Sequence, residues 1–482
     1  MKMNAILKKY WDRYKTFPAS AKASIWFVFC SILQKGIQFI TVPIFTRTLS
    51  TEQYGQFTLY QSWLNIISIF ASLLLYSSVF NNGMLKYNNQ KDRFISSLQG
   101  LSTTCTVLLF FIYLLGADFW DSLLGLPRIV MLSMFVEMLF YPALQYWSMR
   151  QRYEFRYRAL VGVTLAISVL NPLLGLLAVY ATEEKGIARI LSVSLLNAGI
   201  GLLFYIYNFF KGKIFFVRDY WKFALRFNLP LIPHFLSVFI FSQSDRIIIE
   251  KMFGATPMAI YSLAYSLGVV MSIIYTAITD SLVPWIYQKC QIAAYDQINH
   301  VATRITILVA FITLVPIALS PELVAIMGTE EYAPAMWGVP PVAIASYLSF
   351  LCTLFTNIEF YYEKSKSVMV VSCISALINV VLNLILMPIF GYLAAAYTTT
   401  VCFIILALLH YYFMRQTFRE NVGTGSVYNI KSICLITLAL VLAAAVMMLL
   451  YPVAVIRYAF VAVLLVVGVI KRKTIFSLIR RT

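Results

Sequence analysis

One pattern dominates this chain: apolar runs of roughly twenty residues, the length a helix needs to cross ~30 Å of hydrocarbon at 1.5 Å per residue. About fourteen such runs follow one another, over approximately 24–46, 56–80, 95–116, 129–148, 159–181, 187–210, 225–249, 258–286, 303–320, 336–361, 367–389, 392–414, 431–450 and 454–470. In lipid only helices and closed barrels satisfy their own backbone hydrogen bonds, and runs of this length select helices. The longest connectors, about 81–94, 211–224, 287–302, 321–335 and 415–430, leave no room for an inserted soluble domain. Composition agrees: with 61% hydrophobic and only 12% charged residues, the chain could not cover a water-facing surface. Water-soluble enzyme classes are thereby largely excluded.

The basic residues orient these runs. A net charge of +18, from 38 Lys and Arg against 20 Asp and Glu, could suggest nucleic acid in a soluble protein, but here position carries the information. If the N-terminus is cytoplasmic and the runs alternate, thirty of the 38 basic residues fall in cytoplasmic segments. Six fall outside (Arg47, Arg128, Lys185, Arg189, Lys251 and Arg457), while Lys35 and Arg246 sit at membrane depth. This positive-inside bias favours an even number of spans with both termini in the cytoplasm. The first run leads into Gln34 and Lys35 with no small-residue cleavage site, and reads as an uncleaved span.

Ionisable groups within such runs are costly, at about 3 kcal/mol on insertion scales, and usually face a cavity or a partner. The candidates are Lys35, Glu137, Asp245, Arg246, Asp280 and Glu359, with Arg47 at the outer end of the first run. Gln34 and Gln38, spaced i, i+4, give the first run a polar side around Lys35. In the seventh run His234 and Asp245 lie about three turns apart on one face. Asp245 and Arg246 either serve such a site or neutralise each other at a helix end. Glu137, Asp280 and Glu359 read as ion-coupling carboxylates or as interfacial anchors, the second being commoner. Polar stripes recur at helical spacing: Gln61, Asn65, Ser68 and Ser72; Ser346, Ser349, Thr353 and Thr356; Ser372, Ser375, Asn379 and Asn383. They suit a water-lined path or helix–helix contacts equally.

Chemistry of other kinds is missing from the pattern. The seven cysteines form no CxxC pair and the three histidines are scattered, so neither metal ligands nor disulfides are expected. No phosphate loop, HExxH or nucleophile elbow occurs, so no cofactor and no enzymatic activity are expected. Asp118 and Asp121 form a weak DxxD on a short outer turn.

The chain also hints at an internal repeat. Thr46-Arg47 is followed by Tyr54 to Tyr60, and Asp245-Arg246 by Tyr261 to Tyr265, six spans later. An even offset gives two halves of parallel topology. The expected fold is an all-α polytopic transmembrane helix bundle of about fourteen spans. It comprises an N-terminal lobe (1–210), a basic cytoplasmic linker (211–224), a C-terminal lobe (225–415) and two additional C-terminal helices with a basic tail (416–482). Charges on both the first and the seventh run suggest a cavity between two pseudo-symmetric six-helix lobes.

The run Pro43…Thr46-Arg47-Thr48-Leu49-Ser50-Thr51-Glu52-Gln53-Tyr54-Gly55 resembles the first-loop signature of polysaccharide flippases. These belong to the multidrug/oligosaccharidyl-lipid/polysaccharide exporter superfamily. Asn228-Leu229-Pro230-Leu231-Ile232-Pro233-His234, Ser244-Asp245-Arg246-Ile247-Ile248-Ile249, Gly254 and Ile260-Tyr261-Ser262 agree with it, as do Asn379, Asn383, Pro388 and Gly391 to Ala396. The resemblance spans about 25–415. It implies alternating access across a bacterial cytoplasmic membrane, moving undecaprenyl-diphosphate-linked oligosaccharide repeat units for O-antigen, capsule or exopolysaccharide. The implied partners are the lipid-linked oligosaccharide, membrane lipids, a coupling proton or sodium ion, and the polymerase and other assembly proteins. Lys35 and Arg47 are then the expected cavity cations for the diphosphate, with Gln34, Gln38, His234, Asp245, Arg246, Asn379 and Asn383 as further substrate-binding candidates. Asp280, Glu359 and Glu137 are the ion-coupling candidates. The alternatives are a cation-coupled multidrug exporter, which would want acids and aromatics in its cavity, and a polysaccharide polymerase, which would want a large outer catalytic loop.

Overall fold

The computed structural model describes residues 19–76, 79–362, 364–423 and 425–470, which are helical throughout apart from their turns. Each of the fourteen apolar runs overlaps at least one helix. Ten helices are long and apolar enough to cross a membrane by length and composition, or eleven counting one bent pair. The chain divides into two compact units, Met1–Leu49 with Tyr60–Leu236 and Ser50–Leu59 with Ser237–Thr482.

The first unit holds α1 (Ala19–Thr48), most of α2 (Thr51–Ser72), α3 (Val79–Lys86), α4 (Lys91–Leu114), α5 (Ala117–Leu124), α6 (Arg128–Tyr153), α7 (Tyr157–Ala181), α8 (Lys185–Gly212) and α9 (Arg218–Asn228). Its core packs Phe80, Phe94, Leu98, Tyr146, Tyr220 and Ala224. Helices α6 and α8 approach closely at Gly201, where a Cβ would stand 2.6 Å from the Phe140 carbonyl carbon. Such close approach through small residues is how helices associate where no hydrophobic drive separates them from lipid.

Short helices form in segments read from the sequence as connectors or turns, α3, α5 and α9 among them. In α9, Tyr220, Ala224 and Asn228 are buried at i, i+4 spacing, while Arg218, Lys222 and Arg226 are exposed on another side. The basic segment is tied to α4: the Trp221 indole N–H donates to Ser97 O (2.9 Å) and the Ser96 hydroxyl to Ile214 O (2.7 Å). Helix α5 explains the DxxD pair: Arg128 binds Asp121 at 3.0 Å and also Asp118, closing the turn between α5 and α6.

The second unit contains α10 (Ile232–Phe253), α11 (Ala255–Gln291), α12 (Tyr295–Ala318), α13 (Ser320–Met327), a 3₁₀ segment Glu330–Trp337, α14 (Val339–Tyr361), α15 (Ser365–Phe390), α16 (Ala394–Asn421), α17 (Ile430–Leu449) and α18 (Ala454–Ile470). Ile358, Leu354, Phe355 and Tyr347 of α14 lie in its main core. Two signature glycines make its tight joints. Gly254 (φ +91°, ψ 179°) separates α10 from α11, and Gly391 (φ +81°, ψ 178°) follows α15. That backbone region is essentially reserved for glycine. Gly55 serves differently: its missing Cβ admits the Ala255 carbonyl oxygen, which a Cβ would meet at 2.2 Å. The last helix, α18, is pinned by Arg457, almost fully buried, which forms a bidentate pair with Glu322 of α13 (2.7 and 2.8 Å) and donates to Ala318 O (2.8 Å).

Candidate functional site

Within the second unit the structure brings three of the sequence candidates together. Asp245 of α10 is 2% exposed. Its Oδ2 accepts from the Tyr261 hydroxyl of α11 (2.6 Å) and the Thr399 hydroxyl of α16 (2.7 Å), and its Oδ1 from the Asn383 amide of α15 (2.5 Å). Asn379, one turn before Asn383, accepts from Ser244 (3.2 Å) and from Asn383 (3.3 Å), and donates to Thr399 (3.3 Å). Thr398 donates to Asn383 Oδ1. Four helices thus converge on one carboxylate, which a dry interior tolerates only with this degree of hydrogen bonding.

Arg246 does not neutralise Asp245 by direct contact. Its guanidinium donates to Gln243 Oε1 (2.8 Å) and Ser242 O (3.1 Å), and lies 4.3 Å from the Tyr265 ring centroid. That is cation–π geometry.

The first unit holds a second buried carboxylate. Glu137 of α6, also 2% exposed, accepts from the Tyr60 hydroxyl of α2 (2.6 Å) and the Asn197 amide of α8 (2.8 Å). It borders a cavity of about 120 Å³ lined by Asn65, Ser68, Ser72, Tyr76 and Tyr141. Three residues of the first polar stripe therefore face a cavity beside an acid. Among the described residues, no Lys, Arg or His forms an ion pair with Glu137 or Asp245.

Glu359 lies elsewhere, fully buried at the end of α14, paired with His410 of α16 (2.9 Å) and accepting from Ser367 (2.7 Å). Gln34 and Lys35 are half-buried on α1, Gln38 is exposed, and Arg47 is exposed in its last turn. The side chains of His234 and Asp280 lie outside the described residues.

Sequence reading missed Tyr60, Asn197, Tyr261, Thr398, Thr399 and His410. The tyrosines stood within the repeat motif, but nothing in the spacing tied them to an acid 77 or 16 residues away. Among the described residues, no group of three or more His, Cys, Asp or Glu could hold a metal ion.

The described residues form two all-helical units of membrane-length helices, each with a buried, hydrogen-bonded carboxylate. Residues 20–289 match the family of polysaccharide biosynthesis proteins, and the chain belongs to that family. It is 25% identical over 382 residues to Lsg locus protein 1 of Haemophilus influenzae, covering 74% of this chain and 89% of the relative. Its fold is similar to a solved lipid II flippase, MurJ, in an inward closed conformation (TM-score 0.70, 13% identity, 94% of this chain and 100% of that one). It is also similar to an inward-facing multidrug resistance transporter of the MATE family (TM-score 0.63, 12% identity, 81% of this chain and 96% of that one).

Proposed function

We propose that this protein carries lipid-linked oligosaccharides from the inner to the outer leaflet of a bacterial cytoplasmic membrane by alternating access, its termini in the cytoplasm. The undecaprenyl-diphosphate head group, bearing an O-antigen, capsule or exopolysaccharide repeat unit, is the cargo. The single observation that carries this reading is the membership of a polysaccharide biosynthesis family by a chain whose buried polar groups sit inside membrane-length helices. The similarity in fold to a lipid II flippase supports it.

The roles divide by chemistry. Lys35 and Arg47 are assigned to the diphosphate, because charge-assisted bonds to phosphate oxygens are the strong ones. Gln34 and Gln38, on the same helix, are assigned to sugar hydroxyls. Glu137 and Asp245, carboxylates without a paired cation, are assigned to the coupling proton or sodium ion, which drives turnover only by binding the two facing states differently. A polymerase receiving the cargo at the outer face is the expected partner.

The test is reconstitution into vesicles with a fluorescently labelled lipid-linked oligosaccharide, followed by its exposure to an impermeant quencher. Movement between leaflets is expected. Export of an organic cation such as ethidium, with the lipid left in place, would overturn the reading in favour of a drug exporter.

A further inference from the structure

The second unit contains a cavity of about 200 Å³ between α11, α14 and α16, far larger than the ~30 Å³ a water molecule takes in the liquid. Its α14 wall is the stripe Ser346, Ser349 and Thr353, half-buried positions in an otherwise buried stretch of helix. None of its lining residues among those described is Lys, Arg, Asp or Glu.

Five of the hydroxyl protons around this cavity are already committed. Thr276 donates to Ser272 O (2.7 Å), Thr279 to Tyr275 O (3.0 Å), Ser346 to Val342 O (3.1 Å) and Thr353 to Ser349 O (3.0 Å). Thr399 donates to Asp245. A hydroxyl has one proton and two lone pairs, so these groups turn lone pairs, and few donors, toward the space. Four aromatic rings, Tyr265, Tyr275, Phe350 and Phe403, share the rest of the wall with small and aliphatic residues.

We propose that this cavity is a subsite for one uncharged sugar ring of the transported head group, an inference that rests on the flippase reading above. Sugar hydroxyls can donate to the lone pairs of these five groups, and the apolar face of a sugar ring suits the aromatic part of the wall. A cation site would want a carboxylate in the lining, and among the described lining residues there is none. The subsite also has a charged neighbour. Tyr265 lines the cavity and carries the Arg246 guanidinium over its ring. A neutral sugar seated here places the next, anionic group of the head group within reach of a cation. Gly268 helps form the space: a Cβ there would meet Val342 Cγ1 at 2.1 Å, so α11 and α14 meet closely at the cavity's edge.

The experiment is cysteine protection in the full-length protein, with Cys105, Cys373 and Cys434 replaced by alanine and Ser349→Cys introduced. Modification by a small methanethiosulfonate is followed in the presence of methyl glucoside, methyl N-acetylglucosaminide, sodium chloride or tetraethylammonium. If Ser349→Cys fails to fold, judged by gel filtration, Thr353→Cys replaces it. A glycoside is expected to slow modification by 1 + [L]/Kd, about tenfold at nine times Kd, while neither cation protects. Protection by sodium or tetraethylammonium alone overturns the proposal in favour of a cation cavity, and no protection by any probe overturns it outright. Translocation by the wild type without glycoside protection removes the subsite and leaves the flippase reading. Protection without translocation does the reverse.

Discussion

The Tyr60 hydroxyl donates to Glu137 across 2.6 Å, and the Tyr261 hydroxyl meets Asp245 at the same 2.6 Å in the other unit. Each tyrosine belongs to the helix that follows one of the two turns compared above, and each caps a carboxylate that is 2% exposed. The amide of Asn197 or Asn383 completes the cap. Donors to the carboxylate oxygens compensate its removal from water.

Glu137→Gln keeps an acceptor for Tyr60 and is expected to leave folding intact while abolishing the dependence of transport on the proton or sodium gradient. Tyr60→Phe is expected to cost about 1–3 kcal/mol of stability, because it strands a buried carboxylate oxygen. Transport in vesicles with and without an imposed gradient, together with thermal unfolding in detergent, measures both. Unchanged gradient dependence in Glu137→Gln removes Glu137 from the coupling role.

Asp245→Asn replaces the charge in the second network, and Asp245→Ala removes the acceptor as well. The first is expected to retain fold and lose transport. The second should lose about 3 kcal/mol or more of stability, since Tyr261, Thr399 and Asn383 all lose a partner. Transport by Asp245→Asn at the wild-type rate would show that only the hydrogen bonds matter.

Lys35→Ala and Arg47→Ala should each reduce translocation of a diphosphate-linked oligosaccharide by at least about tenfold, one charge-assisted bond being worth ~1.5–3 kcal/mol. Lys35→Arg is expected to retain most activity. Initial rates at varied substrate concentration separate binding from turnover, and full activity in both alanine variants would dismiss these two as the cavity cations.

Glu322 predicts a pH effect. Partial burial raises its carboxyl, but the hydrogen bonds from Arg457 outweigh that and hold it below the ordinary carboxylate range. A depressed carboxyl contributes stability that is present above its unfolded value, ~4.3, and lost as pH falls through its folded value. Wild type should therefore weaken below about pH 4, and Glu322→Gln should lose part of this acid sensitivity while unfolding earlier at pH 7. Breaking the pair from one side leaves Arg457 buried, at a cost of about 3 kcal/mol. Unfolding midpoints at pH 4 and 7 decide it; identical midpoints for the two proteins would mean that the pair contributes nothing.

Much of the site was legible one helix at a time. Ser346, Ser349 and Thr353 were visible as a stripe, and they line a cavity. Asn379 and Asn383 were visible as a pair one turn apart, and both reach the Asp245 network. The connectors were less legible: α5, α9 and α13 are too short to show a spanning run, and their packing against longer helices holds them. Glu359 carried no sign of its partner, because His410 lies 51 residues on in another helix.

By itself the sequence determined where the long apolar helices lie, and it carries glycine where a joint between them requires one. The bilayer demands ~20 apolar residues per crossing with every backbone group paired internally. The positive-φ joint at Gly254 admits almost nothing else. Only the tertiary structure decided which acid meets which donor. That depends on how each helix is rotated about its axis, and rotation is set by packing between helices distant in sequence, such as α6 against α8 at Gly201. A one-residue change of spacing turns a side chain by 100°, so Tyr60 meets Glu137 only once that packing is fixed.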